Sequence, residues 1–101
     1  MYWLVLYDFV DDYLERRKPL REAHLALIRD AHARGEVVMA GAFDPPEGGA
    51  LVFKTDDRAA IERFVQNDPY VQNGLVTRWR IYGWTVVIGG ETGATAAAPT
   101  G

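Results

Sequence analysis

The sequence predicts an α+β domain built on a four-stranded antiparallel sheet. Two observations carry this. β-rich runs and amphipathic helical stretches alternate in the order β-α-β-β-α-β, which is the ferredoxin-like arrangement. The chain of 101 residues has room for one hydrophobic core of the usual size, about 100–150 residues. Hydrophobic residues make up 49% and charged residues 25%, the usage of an ordinary soluble globular domain.

Residues 2–8 are aromatic and β-branched and form the first strand. From Asp11 to Arg34 the pattern turns helical. Pro19 divides this stretch, because the residue before a proline is pushed out of the α region. Pro19 itself suits the first position of a longer helix. In that helix Leu20, Ala23, His24, Leu27, Ile28 and Ala31 recur at three- and four-residue spacings and make an apolar face. Arg21 and His32 flank that face, and Gly35 ends the helix.

Residues 36–43 read as a second strand, residues 44–49 as a loop, and residues 50–54 as a third strand. Asp56 and Asp57 open a second helix, where the dipole favours acids. Ala60, Ile61, Phe64 and Val65 form its buried stripe. Asn67 to Asn73 reads as an irregular or single-turn segment. Residues 75–88 form a last strand with a bend at Gly83. These elements define a domain over residues 1–88. The tail, residues 89–101, lacks apolar periodicity and is expected to be disordered.

Both parities of the first strand are apolar: Tyr2, Leu4 and Leu6 alternate with Trp3, Val5 and Tyr7. The last strand repeats this, with Trp79 and Ile81 against Tyr82, Trp84, Val86 and Ile88. Helices cover one face of such a sheet, so the other needs a second cover. The expectation is a homodimer joined through that face.

Composition narrows the chemistry. There are no cysteines and no serines, which removes thiolate and serine nucleophiles and Cys-ligated zinc. A cysteine-free chain suits a reducing compartment, and cytoplasmic localisation is expected. The formal charge of −3 and the acids around Arg16-Arg17-Lys18 speak against nucleic acid as a partner. The apolar N-terminus is too short to span a membrane. Gly48-Gly49 lacks a dinucleotide fingerprint. His24 and His32 have no ligand-like neighbours, so neither a metal nor another cofactor is expected.

What remains is His24, on the apolar side of a helix, and Asp68, held in Asp68-Pro69-Tyr70 ahead of Gly74. Asp68 has two compatible readings. It can cap a helical turn that starts at Pro69, and it can orient an imidazole for proton transfer. A histidine on an apolar face is also at home as a core residue whose N–H meets a carbonyl. The topology lets the segment after the second helix return to His24. Arg21, one turn earlier, can receive a substrate oxyanion or pair with Glu15 or Glu22. Tyr70 can donate a hydrogen bond into the same space or simply pack. Tyr7 and Met39 are favoured as core residues over pocket residues.

A Tyr-rich first strand and the motif Arg21-x-x-His24-Leu25 open a recognisable series. Gly41, Gly49 and Phe64 lead on to Asp68-Pro69-Tyr70, and Gly74-Leu75 and Trp84 complete it. In this series the chain resembles the YCII-related (YciI-like) family of the dimeric α+β barrel group, over roughly residues 1–88. The resemblance implies a ferredoxin-like protomer that dimerises through its sheet, with an active site at the residues matching His24 and Asp68. Some relatives act in aromatic degradation, including dehalogenation by elimination. The expected function is cofactor-free acid–base chemistry on a small organic molecule: elimination, isomerisation or hydrolysis. In this scheme His24 and Asp68 are catalytic, and Arg21 and Tyr70 bind substrate. The alternative is a dimeric small-molecule-binding or interaction module without catalysis.

Overall fold

The computed structural model describes residues 1–90; the expected disordered tail falls almost wholly outside the described residues. The elements run β1 (Tyr2–Phe9), α1 (Tyr13–Arg16), α2 (Arg21–Ala33), β2 (Val37–Ala42), β3 (Gly48–Lys54), α3 (Arg58–Asn67), α4 (Pro69–Gln72) and β4 (Val76–Trp84). The single-turn helices α1 and α4 aside, this is the βαββαβ order. The sheet is antiparallel with strand order β2-β3-β1-β4. The protein has the α+β, ferredoxin-like fold that the element order predicts.

The core lies between the helices and one sheet face. Val5, Tyr7, Leu51 and Phe53 supply the sheet side, and Ile61, Phe64, Val65 and Ala31 the helix side. Phe53 and Phe64 meet edge to face at 5.1 Å. Of the stripe expected on α3, Ile61, Phe64 and Val65 are buried and Ala60 is half-buried. Asp57 caps that helix by accepting from the Ala59 N–H. Gly35 ends α2 with φ 82°, and the Glu36 N–H returns to the Ala31 carbonyl.

Three local expectations are corrected. α2 begins at Arg21, two residues beyond Pro19. The Leu20 N–H bonds back to the Arg17 carbonyl, so Pro19 sits inside the turn that this bond closes. Gly48 and Gly49 belong to β3 rather than to a loop. A Cβ on Gly48 would collide with the Tyr7 carbonyl, and one on Gly49 would lie 2.8 Å from the Gly41 carbonyl oxygen. These glycines let the strands approach. Finally, β4 stops at Trp84, and its pairing with β1 runs through Gly83 without a register shift. Trp84 pairs with Tyr2 at the start of β1, so no strand lies opposite residues 85–88; the register shift falls at Asp8/Phe9 instead.

The face away from the helices carries Leu4, Val52 and Tyr82 in one register row, with Trp84 beside them. Tyr82 is 50% and Trp84 45% exposed. Met39 is 64% exposed and belongs to this open face rather than to the core. Arg80 and Asp8 pair across it at 3.0 Å.

Candidate active site

Asp68 is the hinge of the site. Its extended backbone (φ −73°, ψ 120°) ends α3 and starts α4, and Pro69 takes the first helical position. Its Oδ1 accepts the Tyr70 N–H at 3.0 Å, so the capping reading holds. The same oxygen lies 2.7 Å from His24 Nδ1. Oδ2 accepts the Tyr7 hydroxyl at 2.8 Å. The carboxylate is completely buried, and these three donors answer the cost of burying it.

The capping reading and the imidazole contact thus share one side chain. A carboxylate only accepts hydrogen bonds, so Nδ1 carries the proton of the neutral imidazole and Nε2 keeps the lone pair. The His24 side chain is 12% exposed. It lines a cavity of about 250 Å³ with Tyr7, Phe9, Arg21, Leu25 and residues of β2 and β3. Burial, and secondarily the Asp68 charge, push the Tyr7 phenol far above its ordinary value, which keeps it a donor.

Arg21 stands at this cavity, exposed. Glu15, one of its expected partners, pairs with Lys18 instead, and Arg21 has no ion pair among the described residues. Tyr70 is placed differently from expectation. It does not line the cavity. Its ring stacks on the imidazole, with centroids 3.6 Å apart and planes at 8°, and meets Phe9 and Tyr13 edge on. Its hydroxyl is buried, with the Tyr13 hydroxyl as its polar neighbour. Burial first, then the nearby Tyr13 hydroxyl, push the phenol up to about 12.

Sequence reasoning favours Tyr7 as a core residue, and it is one, but it is also the second donor to Asp68. The same reasoning misses the small residues of the cavity wall, Ala40, Ala42 and Gly49. The available signal was Ala40-Gly41-Ala42 beside Gly48-Gly49-Ala50: two neighbouring strands with almost no side-chain volume. Among the described residues no three His, Asp or Glu side chains cluster as metal ligands would, and no helix is long and apolar enough to cross a membrane.

No protein of curated function matches the sequence. Among solved structures the chain is similar to 5-chloro-2-hydroxyhydroquinone dehydrochlorinase (TftG) from Burkholderia phenoliruptrix AC1100, solved with 2,5-dihydroxybenzoquinone. The TM-score is 0.72 at 22% identity, covering 83% of this chain and 93% of that one. Rv0793 from Mycobacterium tuberculosis gives a TM-score of 0.49 at 16% identity, covering 82% and 92%. At 22% identity the likeness to the dehydrochlorinase concerns the fold. The family is given by the sequence itself, since the YCII-related domain matches residues 1–85: the chain belongs to the YCII-related family.

Proposed function

We propose that the protein is a cofactor-free enzyme that moves a proton on a small organic molecule with His24 as base and acid. The carrying observation is the 2.7 Å contact between His24 Nδ1 and the buried Asp68 carboxylate, with the imidazole facing a cavity. In this reading Nε2 takes a proton from the substrate, and Asp68 holds the tautomer and stabilises the imidazolium. Arg21 steadies the negative charge that develops on a substrate oxygen. Tyr7 and Tyr70 position the pair.

Elimination from a hydroxylated ring suits these parts, and the dehydrochlorinase with the same fold supports it by analogy. One hydroxyl proton is first moved to the ring carbon that bears the leaving group, giving the ketone tautomer. Nε2 then takes the proton of a second hydroxyl, its electrons form a carbonyl and shift the ring double bonds, and the leaving group departs from that tetrahedral carbon as an anion with its bonding pair. Nothing is oxidised or reduced overall. We also propose that two copies join through the apolar open face, and that the cysteine-free chain works in the cytoplasm.

The test is halide release from chlorinated hydroxyhydroquinones by the purified protein. His24→Ala should lower the rate by about 10²–10⁴-fold, the usual worth of general acid–base catalysis. Wild type no faster than His24→Ala, with each of these substrates, would sink the catalytic reading. The capping bond to Tyr70 favours a second reading, because it gives Asp68 a structural reason to be present. On that reading the protein binds ring compounds without turning them over.

A further inference from the structure

We propose that the site takes a single-ring organic anion, and that Ala42 on the edge strand β2 is the residue that sets this limit. The inference rests on the His24 cavity being the substrate site and names the class of molecule that fits it.

The register explains why a cavity exists. On the helix-bearing face Tyr7 lies opposite Gly49, and Gly49 opposite Ala42. Toward the other end the same face carries Phe53 opposite Val37, both buried. Side-chain volume under α2 therefore shrinks along the sheet, and the missing volume is the space in front of His24. Gly49 cannot be adjusted, because a Cβ there would lie 2.8 Å from the Gly41 carbonyl oxygen and 3.3 Å from Phe9. Ala42 can. It lies on an edge strand and is exposed, so a larger side chain costs the core little and occupies the cavity.

Size and charge define the occupant. An apolar cavity of about 150 Å³ holds benzene, and drug-sized ligands need about 300–1,000 Å³. At about 250 Å³ this one matches a single substituted ring. Of the lining residues only Arg21 carries a permanent charge, and it makes no ion pair among the described residues. The Asp68 carboxylate behind His24 is already engaged by three donors, so the Arg21 guanidinium is the charged group left to receive a ligand, and it favours a planar monoanion.

Calorimetric titration of the full chain with benzoate, 2-naphthoate and benzamide tests both parts without requiring turnover. Benzoate should bind at least about tenfold more tightly than either other probe. Ala42→Leu should weaken benzoate by about tenfold or more, with Ala40→Leu, one row along, as the second variant should the first fail to fold. Arg21→Gln should erase the preference for benzoate over benzamide. Tighter or equal binding of 2-naphthoate overturns the proposal, as does no binding of benzoate or an unchanged affinity in the leucine variants. Asp68→Asn separates this from the catalytic reading: it stops proton transfer but leaves the cavity size, so ring selectivity should persist.

Discussion

The ring of Tyr70 lies flat against the imidazole of His24, 3.6 Å between centroids and 8° between planes, while the backbone N–H of the same residue bonds the carboxylate that His24 faces. One residue thus fixes the plane of the imidazole and the position of its partner. When His24 takes a proton, the cation sits over an aromatic face, an arrangement that favours the charged ring. Tyr70 is therefore part of the support of the site rather than of its lining.

Replacing Asp68 separates shape from charge. Asp68→Ala leaves the Tyr7 hydroxyl and the Tyr70 N–H buried without acceptors, and urea unfolding should show a loss of about 3 kcal/mol or more. Asp68→Asn keeps the volume and an acceptor oxygen. It should unfold closer to wild type while turnover drops by about 10²-fold or more. Equal turnover in the Asp68→Asn variant and the wild type would remove Asp68 from the chemistry.

Tyr70 gives the opposite contrast. Its hydroxyl has at most a weak contact with the Tyr13 hydroxyl, so Tyr70→Phe should leave stability within about 1 kcal/mol of wild type. Tyr70→Ala removes a fully buried ring and should cost about 3–5 kcal/mol. A large loss in the phenylalanine variant, read by thermal or urea unfolding, would show that the hydroxyl is bonded after all.

Alkaline pH should act through the same rings. Tyr7 and Tyr70 are both raised above the ordinary value of 10.0, so the unfolded chain ionises first. Their contribution to stability is complete below pH 10 and is lost as pH rises toward and beyond 12. Ultraviolet difference titration should show Tyr7 and Tyr70 staying protonated past pH 10, then releasing together with unfolding.

The open sheet face should control assembly. Trp84→Asp places a charge among exposed apolar side chains at the end of β4, opposite Tyr2. Sedimentation should then show a monomer with an unchanged circular dichroism spectrum, against a dimer for wild type. A wild-type monomer at micromolar concentration contradicts the proposed pairing.

The path of the chain was legible because periodicity reports which side of an element meets the core. The two-faced strands β1 and β4 and the stripe of α3 follow from it, whereas the pairing of His24 with Asp68 was allowed by the element order and expected from the family resemblance. Features made by approach between distant backbones were not legible. Gly48-Gly49 looks like a loop in one dimension, and only its pairing with β1 and β2 shows why a Cβ is excluded. The bond from Tyr7 to Asp68 spans 61 positions and leaves no local trace. The place of Tyr70 is equally hidden, because sequence cannot tell a ring that faces a cavity from one that backs the residue facing it.

The shared oxygen of Asp68 gives the protein a built-in gauge. Oδ1 holds both the Tyr70 amide and His24 Nδ1, so a rotation that frees the imidazole also frees that amide to exchange with solvent deuterium. Slow exchange at Tyr70 would report an aligned pair, and fast exchange a broken one. The state of the site can thus be followed at a single backbone proton before any substrate is known.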